Sequence, residues 1–142
     1  MWYFDMKKYL LSLILILLPT LSLAEMAVIV HPNNPLNTLT QKQVQRLFLG
    51  RMLMFPNSKT KVDSVDQDED SDIYRRFYRD VIKMSASKLK RYRAYYLFSG
   101  KGTLPSPTMN HSVVAHVAEI ENAISYVPMT EVNESVKVVY TH

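Results

Sequence analysis

Four aspartates at alternate positions, Asp66, Asp68, Asp70 and Asp72, form the densest set of chemically capable side chains in this chain. Carboxylates at such spacing offer oxygen ligands to a hard cation. A calcium loop counted from Asp66 would need glycine at 71 and glutamate at 77, where the chain has Ser71 and Phe77. The series therefore reads as acidic capping of a helix rather than as a metal site. Ser71 and Asp72 can open that helix, and acids at its start suit the helix dipole. A helix start also presents free N–H groups to anions, so Ser71 and Asp72 are candidate ligand-binding residues. Lys101, in Ser99-Gly100-Lys101-Gly102-Thr103, is a third. A nucleotide phosphate loop would need glycine at 95 and Ser or Thr at 102; Tyr95 and Gly102 break it, leaving Lys101 as a cation able to meet an anion.

The remaining reactive side chains form no recognisable set. His31, His111, His116 and His142 show no metalloprotease spacing. Met52 and Met54 are soft ligands that more often fill a core. Arg91-Tyr92-Arg93-Ala94-Tyr95-Tyr96 interleaves bases and aromatics, a composition seen in binders of nucleic acid or anionic lipid. The modest charge argues against nucleic acid. The expected arrangement is tyrosines in the core with arginines reaching outward. Nothing here points to an enzyme, a metal or a cofactor.

The first residues bear on where the chain works. Lys7 and Lys8 precede the apolar run Leu10 to Leu18, which Pro19 and Thr20 close; Ser22-Leu23-Ala24 then places small residues at a cleavage site. The run is too short to span a bilayer, which takes about 20 residues. Residues 1–24 read as a signal peptide, with Met6 as an alternative start, and 25–142 as one exported domain in a periplasm. No stable membrane span is expected after cleavage. Export sets aside functions that depend on ATP or NAD. The chain has no cysteine, which removes disulfides, thiolate nucleophiles and cysteine-bound metals. Its formal net charge is +4, with six of the acids clustered in 63–72 and nine of the bases between Arg75 and Lys101, opposed there only by Asp80. That layout either steers a partner or solvates two faces.

The elements that would position these residues follow from pattern. Met26-Ala27-Val28-Ile29-Val30 predicts a buried strand, and His31 to Pro35 a turn. Thr40 with Gln43 makes a capping box for a helix over 41–49, ended by Gly50. Residues 61–65 predict a strand and 72–83 a helix with Ile73, Phe77, Val81 and Ile82 inward. Ser85 or Ser87 caps a helix to about Phe98, with Leu89, Tyr92, Tyr96 and Leu97 as its buried stripe. Residues 104–107 read as a loop. Asn110 or Ser112 starts a helix with Val113, Val114, Val117 and Ile120 inward. Strands are expected at 123–128 and 136–140. Alternating strands and helices imply a single α/β domain.

Four segments, in this order and spacing, resemble the phosphate-binding proteins of bacterial ABC transporters. They are Val44-Gln45-Arg46-Leu47-Phe48-Leu49-Gly50-Arg51; Tyr74-Arg75-Arg76-Phe77 after a strand and acidic loop; Tyr95-Tyr96-Leu97-Phe98-Ser99-Gly100-Lys101-Gly102; and Asn122-Ala123-Ile124-Ser125-Tyr126-Val127-Pro128. The resemblance implies an α/β fold with a single mixed sheet flanked by helices, one lobe of a type II periplasmic binding protein, a family whose members have two lobes. It also implies a small anion such as phosphate near Ser71, which matches the serine of the family's Ser-Gly-Thr. The family's loop arginine has no counterpart in Asp66 to Asp72. Two functions follow as expectations. One is a solute-binding module for phosphate or another anion, linked to phosphate transport. The other is an adaptor that has lost its ligand and docks a periplasmic or membrane partner, such as a sensor kinase or porin.

Overall fold

The computed structural model describes residues 25–100, 103–107 and 112–142. The expected signal peptide, Lys101 and Asn110 lie outside the described residues. The structure is an α/β fold with one mixed five-stranded sheet, as the sequence predicts. In chain order the elements are β1 (Met26–Val30), α1 (Gln41–Phe48), β2 (Asp63–Asp66), α2 (Asp72–Arg76), a π-helical run (Phe77–Ile82), α3 (Ala86–Ser99), β3 (Ser106–Pro107), α4 (Val113–Glu119), β4 (Ala123–Pro128), a 3-10 turn (Met129–Glu131) and β5 (Lys137–Thr141). The sheet order is β3-β2-β4-β1-β5. β1 pairs antiparallel with β4 and β5, whereas β2 pairs parallel with β3 and β4.

β1 is apolar at every position because both faces of the sheet are covered. Side chains alternate across a strand. Met26, Val28 and Val30 enter the larger core with Val44, Phe48, Phe77 and Tyr126. Ala27 and Ile29 enter a second core with Val113, Val117 and Val127. Three rings hold the larger core together. Phe77 stacks on Tyr126 with centroids 3.6 Å apart, and Phe48 meets both edge-on at 4.9 and 5.5 Å.

Local chemistry sets the helix limits. The Thr40–Gln43 capping box is formed in both directions. Gly50 follows α1 with φ +72°, and a Cβ there would lie 2.8 Å from the Thr103 carbonyl oxygen, so this position needs glycine for two reasons. Ser71 caps α2 and Ser85, not Ser87, caps α3. The single helix expected over 72–83 is α-helical only to Arg76. It then widens into the π-helical run, which buries Phe77, Tyr78, Val81 and Ile82 and ends at Lys83 with φ 63°. Gln41 and Gln45 of α1 both donate to the Val81 carbonyl near that end, at 2.9 and 3.0 Å.

Three expectations are corrected. Leu97 is exposed rather than part of the buried stripe of α3, because it follows inward-facing Tyr96 by one residue and so points about 100° round the helix from it. Ile120 is exposed because α4 ends at Glu119 and the backbone turns extended there. The loop at 104–107 includes the short edge strand β3, held parallel to β2. Smaller shifts move β2 to 63–66 and β5 to 137–141.

Candidate functional site

Asp66 is the last residue of β2, and the strand's direction carries it into the core, where it is 4% exposed. A carboxylate there requires partners, since burying an unpaired charge is costly. Three side chains from three other elements supply them. Tyr126, from the neighbouring strand β4, donates its hydroxyl to Asp66 Oδ1. Tyr78, from the π-helical run, donates to Oδ2 at 2.9 Å. Arg93, from α3, donates Nη2 to Oδ2 at 2.8 Å and to the Tyr78 hydroxyl at 2.7 Å. Its Nη1 donates to the Tyr74 hydroxyl of α2 at 2.9 Å. The guanidinium lies 5.0 Å from the Tyr78 ring centroid and 5.9 Å from that of Tyr74. Gln67 ties the strand end to β4 by donating Nε2 to the Tyr126 carbonyl at 2.8 Å.

These neighbours shift one another's titration. Burial raises the Asp66 carboxyl above the ordinary aspartate range, and the Tyr126 hydroxyl and the Arg93 charge offset part of that rise. Burial, then the nearby Asp66 charge, pushes the Tyr78 and Tyr126 hydroxyls above the usual tyrosine range. Burial disfavours the Arg93 cation, but Tyr78 and Asp66 outweigh it and hold Arg93 above its ordinary value. At neutral pH the tyrosines are therefore protonated donors beside a guanidinium cation. Among the described residues, every buried side-chain nitrogen and oxygen has a hydrogen-bond partner.

The residues expected to bind a ligand lie just beyond this cluster. Ser71 is the N-cap of α2: its hydroxyl accepts from the Tyr74 amide at 3.2 Å and donates to the Asp68 carbonyl. Asp72 is exposed and lies 3.8 Å from Arg76. The two are neighbours at one helix start, while Lys101 falls outside the described residues. The alternating aspartates do not converge: Asp66 turns inward, and Asp68, Asp70 and Asp72 are exposed. Among the described residues, no group of three acid, histidine or cysteine side chains is placed to hold a metal ion.

Arg93 corrects the expectation that the arginines of α3 reach outward. It faces inward because it sits four residues after buried Leu89, on the same stripe as Tyr92 and Tyr96. That spacing was the available signal for it. Asp66 and Tyr126 carried no comparable signal, since each looks like an ordinary end or middle of its own segment.

As an arrangement, the cluster places a cation at the carboxyl end of a parallel strand, next to a helix start. That is a position suited to an anion. The anion found there is the chain's own Asp66. Glu69 adds a second carboxylate 3.9 Å from Arg93.

Comparison with solved structures places this fold. The chain resembles a putative phosphate ABC transporter substrate-binding protein with bound phosphate from Clostridium perfringens, with a TM-score of 0.64 and 20% identity over 82% of this chain and 45% of that one. It resembles an ABC-type phosphate transport receptor from Vibrio cholerae, with a TM-score of 0.58 and 18% identity, covering 82% and 46%. A third is PstS from Borrelia burgdorferi, with a TM-score of 0.60 and 12% identity, covering 82% and 47%. The fold is thus shared with phosphate-transport binding proteins, and the chain spans less than half the length of each of these structures. No family model and no curated protein matches the sequence.

Proposed function

We propose that this chain is an exported, non-enzymatic module with a solute-binding fold that works by docking a partner at the cell envelope, its anion position being closed by its own Asp66. The closed Asp66–Arg93 pair carries this reading. An incoming phosphate would have to displace a carboxylate already bound at 2.8 Å to the guanidinium and hydrogen-bonded by Tyr126 and Tyr78. It would also enter beside Glu69, Asp68, Asp70 and Asp72, whose like charges repel it. Residues 1–24, read as a signal peptide, would deliver the module to the periplasm. No described helix is long and apolar enough to cross a membrane.

A second reading is weak phosphate or other anion binding at the opening of α2 near Ser71, with a partner completing the site. One observation favours it: the Clostridium perfringens structure of this fold holds bound phosphate and has more than twice the matched length.

Unfolding measured with and without phosphate separates the two. A ligand present at a hundred times its dissociation constant stabilises the folded state by about 2.7 kcal/mol. The docking reading expects an unchanged unfolding midpoint in millimolar phosphate. A midpoint that climbs with phosphate, and not with an equal ionic strength of chloride, overturns it in favour of anion binding.

A further inference from the structure

The outer face of α3 is uncovered among the described residues, and its chemistry is specific. Leu89, Tyr92, Arg93 and Tyr96 occupy the inward stripe. The opposite side carries Lys88, Lys90 and Arg91 in the first half and Tyr95, Leu97 and Phe98 in the last turns, all exposed. Phe98 is 93% exposed, Leu97 72% and Tyr95 68%. A single exposed apolar residue is ordinary. Three within four positions, directly after three bases and with no acid anywhere in the helix, form a patch.

We propose that this face of α3 adsorbs to an anionic phospholipid surface. Tyr95, Leu97 and Phe98 would enter the headgroup boundary while Lys88, Lys90 and Arg91 pair with lipid phosphates above it. Long basic side chains lay their stems along such a boundary and keep their charges in the polar layer. Charge complementarity selects the occupant. α3 itself carries no acid, and Glu69 approaches it on the inward side, at Arg93, so the outer face of the helix presents bases to an anionic surface. Size argues the same way. A stable protein interface covers about 800 Å² on each partner, far more than three apolar side chains provide. Reversible adsorption to a bilayer needs only a small apolar insertion reinforced by bases. This names the partner class of the docking reading and rests on it. The face is distinct from the Asp66 cluster, so vesicle binding and phosphate binding can fail independently.

The test is sedimentation of the full chain with vesicles of phosphatidylglycerol mixed with phosphatidylcholine, against vesicles of phosphatidylcholine alone. The apolar run at 10–18 can bind either kind, so the readout is the preference between them. We expect at least tenfold more binding to the anionic vesicles, falling steeply with salt. Leu97→Ser with Phe98→Ser should remove most of that preference, and so should Lys90→Gln with Arg91→Gln, which keeps a test available should either variant fold poorly. Equal binding to both vesicles overturns the proposal, as does an anionic preference that survives in both folded variants. Concentration-dependent dimerisation abolished by Leu97→Ser with Phe98→Ser also overturns it, by assigning the face to a second copy of the chain.

Discussion

Arg91 and Arg93 lie two residues apart on α3, and their surroundings could hardly differ more. Arg93 turns inward and spends its donors on Asp66, Tyr78 and Tyr74. Arg91 turns outward, beside Lys90, one turn from Tyr95 and two from Phe98, with all of them exposed. The same residue types make a closed charge pair on one side of the helix and an open basic–aromatic face on the other. The difference teaches where to look for a partner. A saturated cluster has no unmet capacity to offer a ligand, whereas an exposed face of bases and aromatic rings does.

The comparison breaks most readily at Arg93. Arg93→Ala leaves a buried carboxylate without its cation, a loss of about 3–5 kcal/mol for pairs of this kind. Urea denaturation should show that drop for Arg93→Ala and a change within about 0.5 kcal/mol for Arg91→Ala. Similar losses for the two would erase the distinction between the faces.

Acidity sharpens the comparison next. Because burial raises the folded Asp66 carboxyl above the unfolded value, the folded state holds this proton more tightly. The group's contribution is full below the ordinary aspartate value of about 3.9 and is lost as pH rises through the raised folded value. Wild-type stability should therefore fall relative to Asp66→Asn as pH climbs from about 4 toward neutrality. Denaturation of both proteins across that range checks it; a gap that moves the other way would mean that Arg93 and the tyrosines outweigh burial.

Ser71→Ala removes the hydroxyl that accepts from the Tyr74 amide and should cost about 1 kcal/mol, the usual worth of an N-cap. If that loss appears without any change in response to phosphate, Ser71 is a cap and not a ligand-binding residue. The smallest effect belongs to the open face. Phe98→Ser should alter stability by no more than about 0.5 kcal/mol, since the ring is almost wholly in solvent.

The sheet and most helices were legible because their signals are local. β1 is an unbroken apolar run and β4 a nearly apolar one, α1 announces itself by Thr40 and Gln43, and of the candidate caps the structure uses Ser71, Ser85 and Ser112. The cluster was not legible for the opposite reason. Tyr126 lies 60 residues from Asp66 and Arg93 lies 27 away, so no window along the chain contains the contact. Drawing the inner stripe of α3 from apolar residues alone also misled. It put Leu97 inside and Arg93 outside, whereas the cation at Leu89 plus four was the inward residue. Among the aspartates, composition could not tell the one that ends a buried strand from the three exposed ones after it. The π-helical widening after Arg76 has no sequence marker that distinguishes it from continued α-helix.

Calorimetric titration of phosphate into the wild-type chain and into Asp66→Asn tests the closed pair most directly. The account predicts no saturable heat from wild type up to millimolar phosphate, and measurable binding once the internal carboxylate is gone and Arg93 keeps its charge. Micromolar binding by the wild type, no tighter in Asp66→Asn, would contradict it and return the chain to the ligand-carrying proteins whose fold it shares.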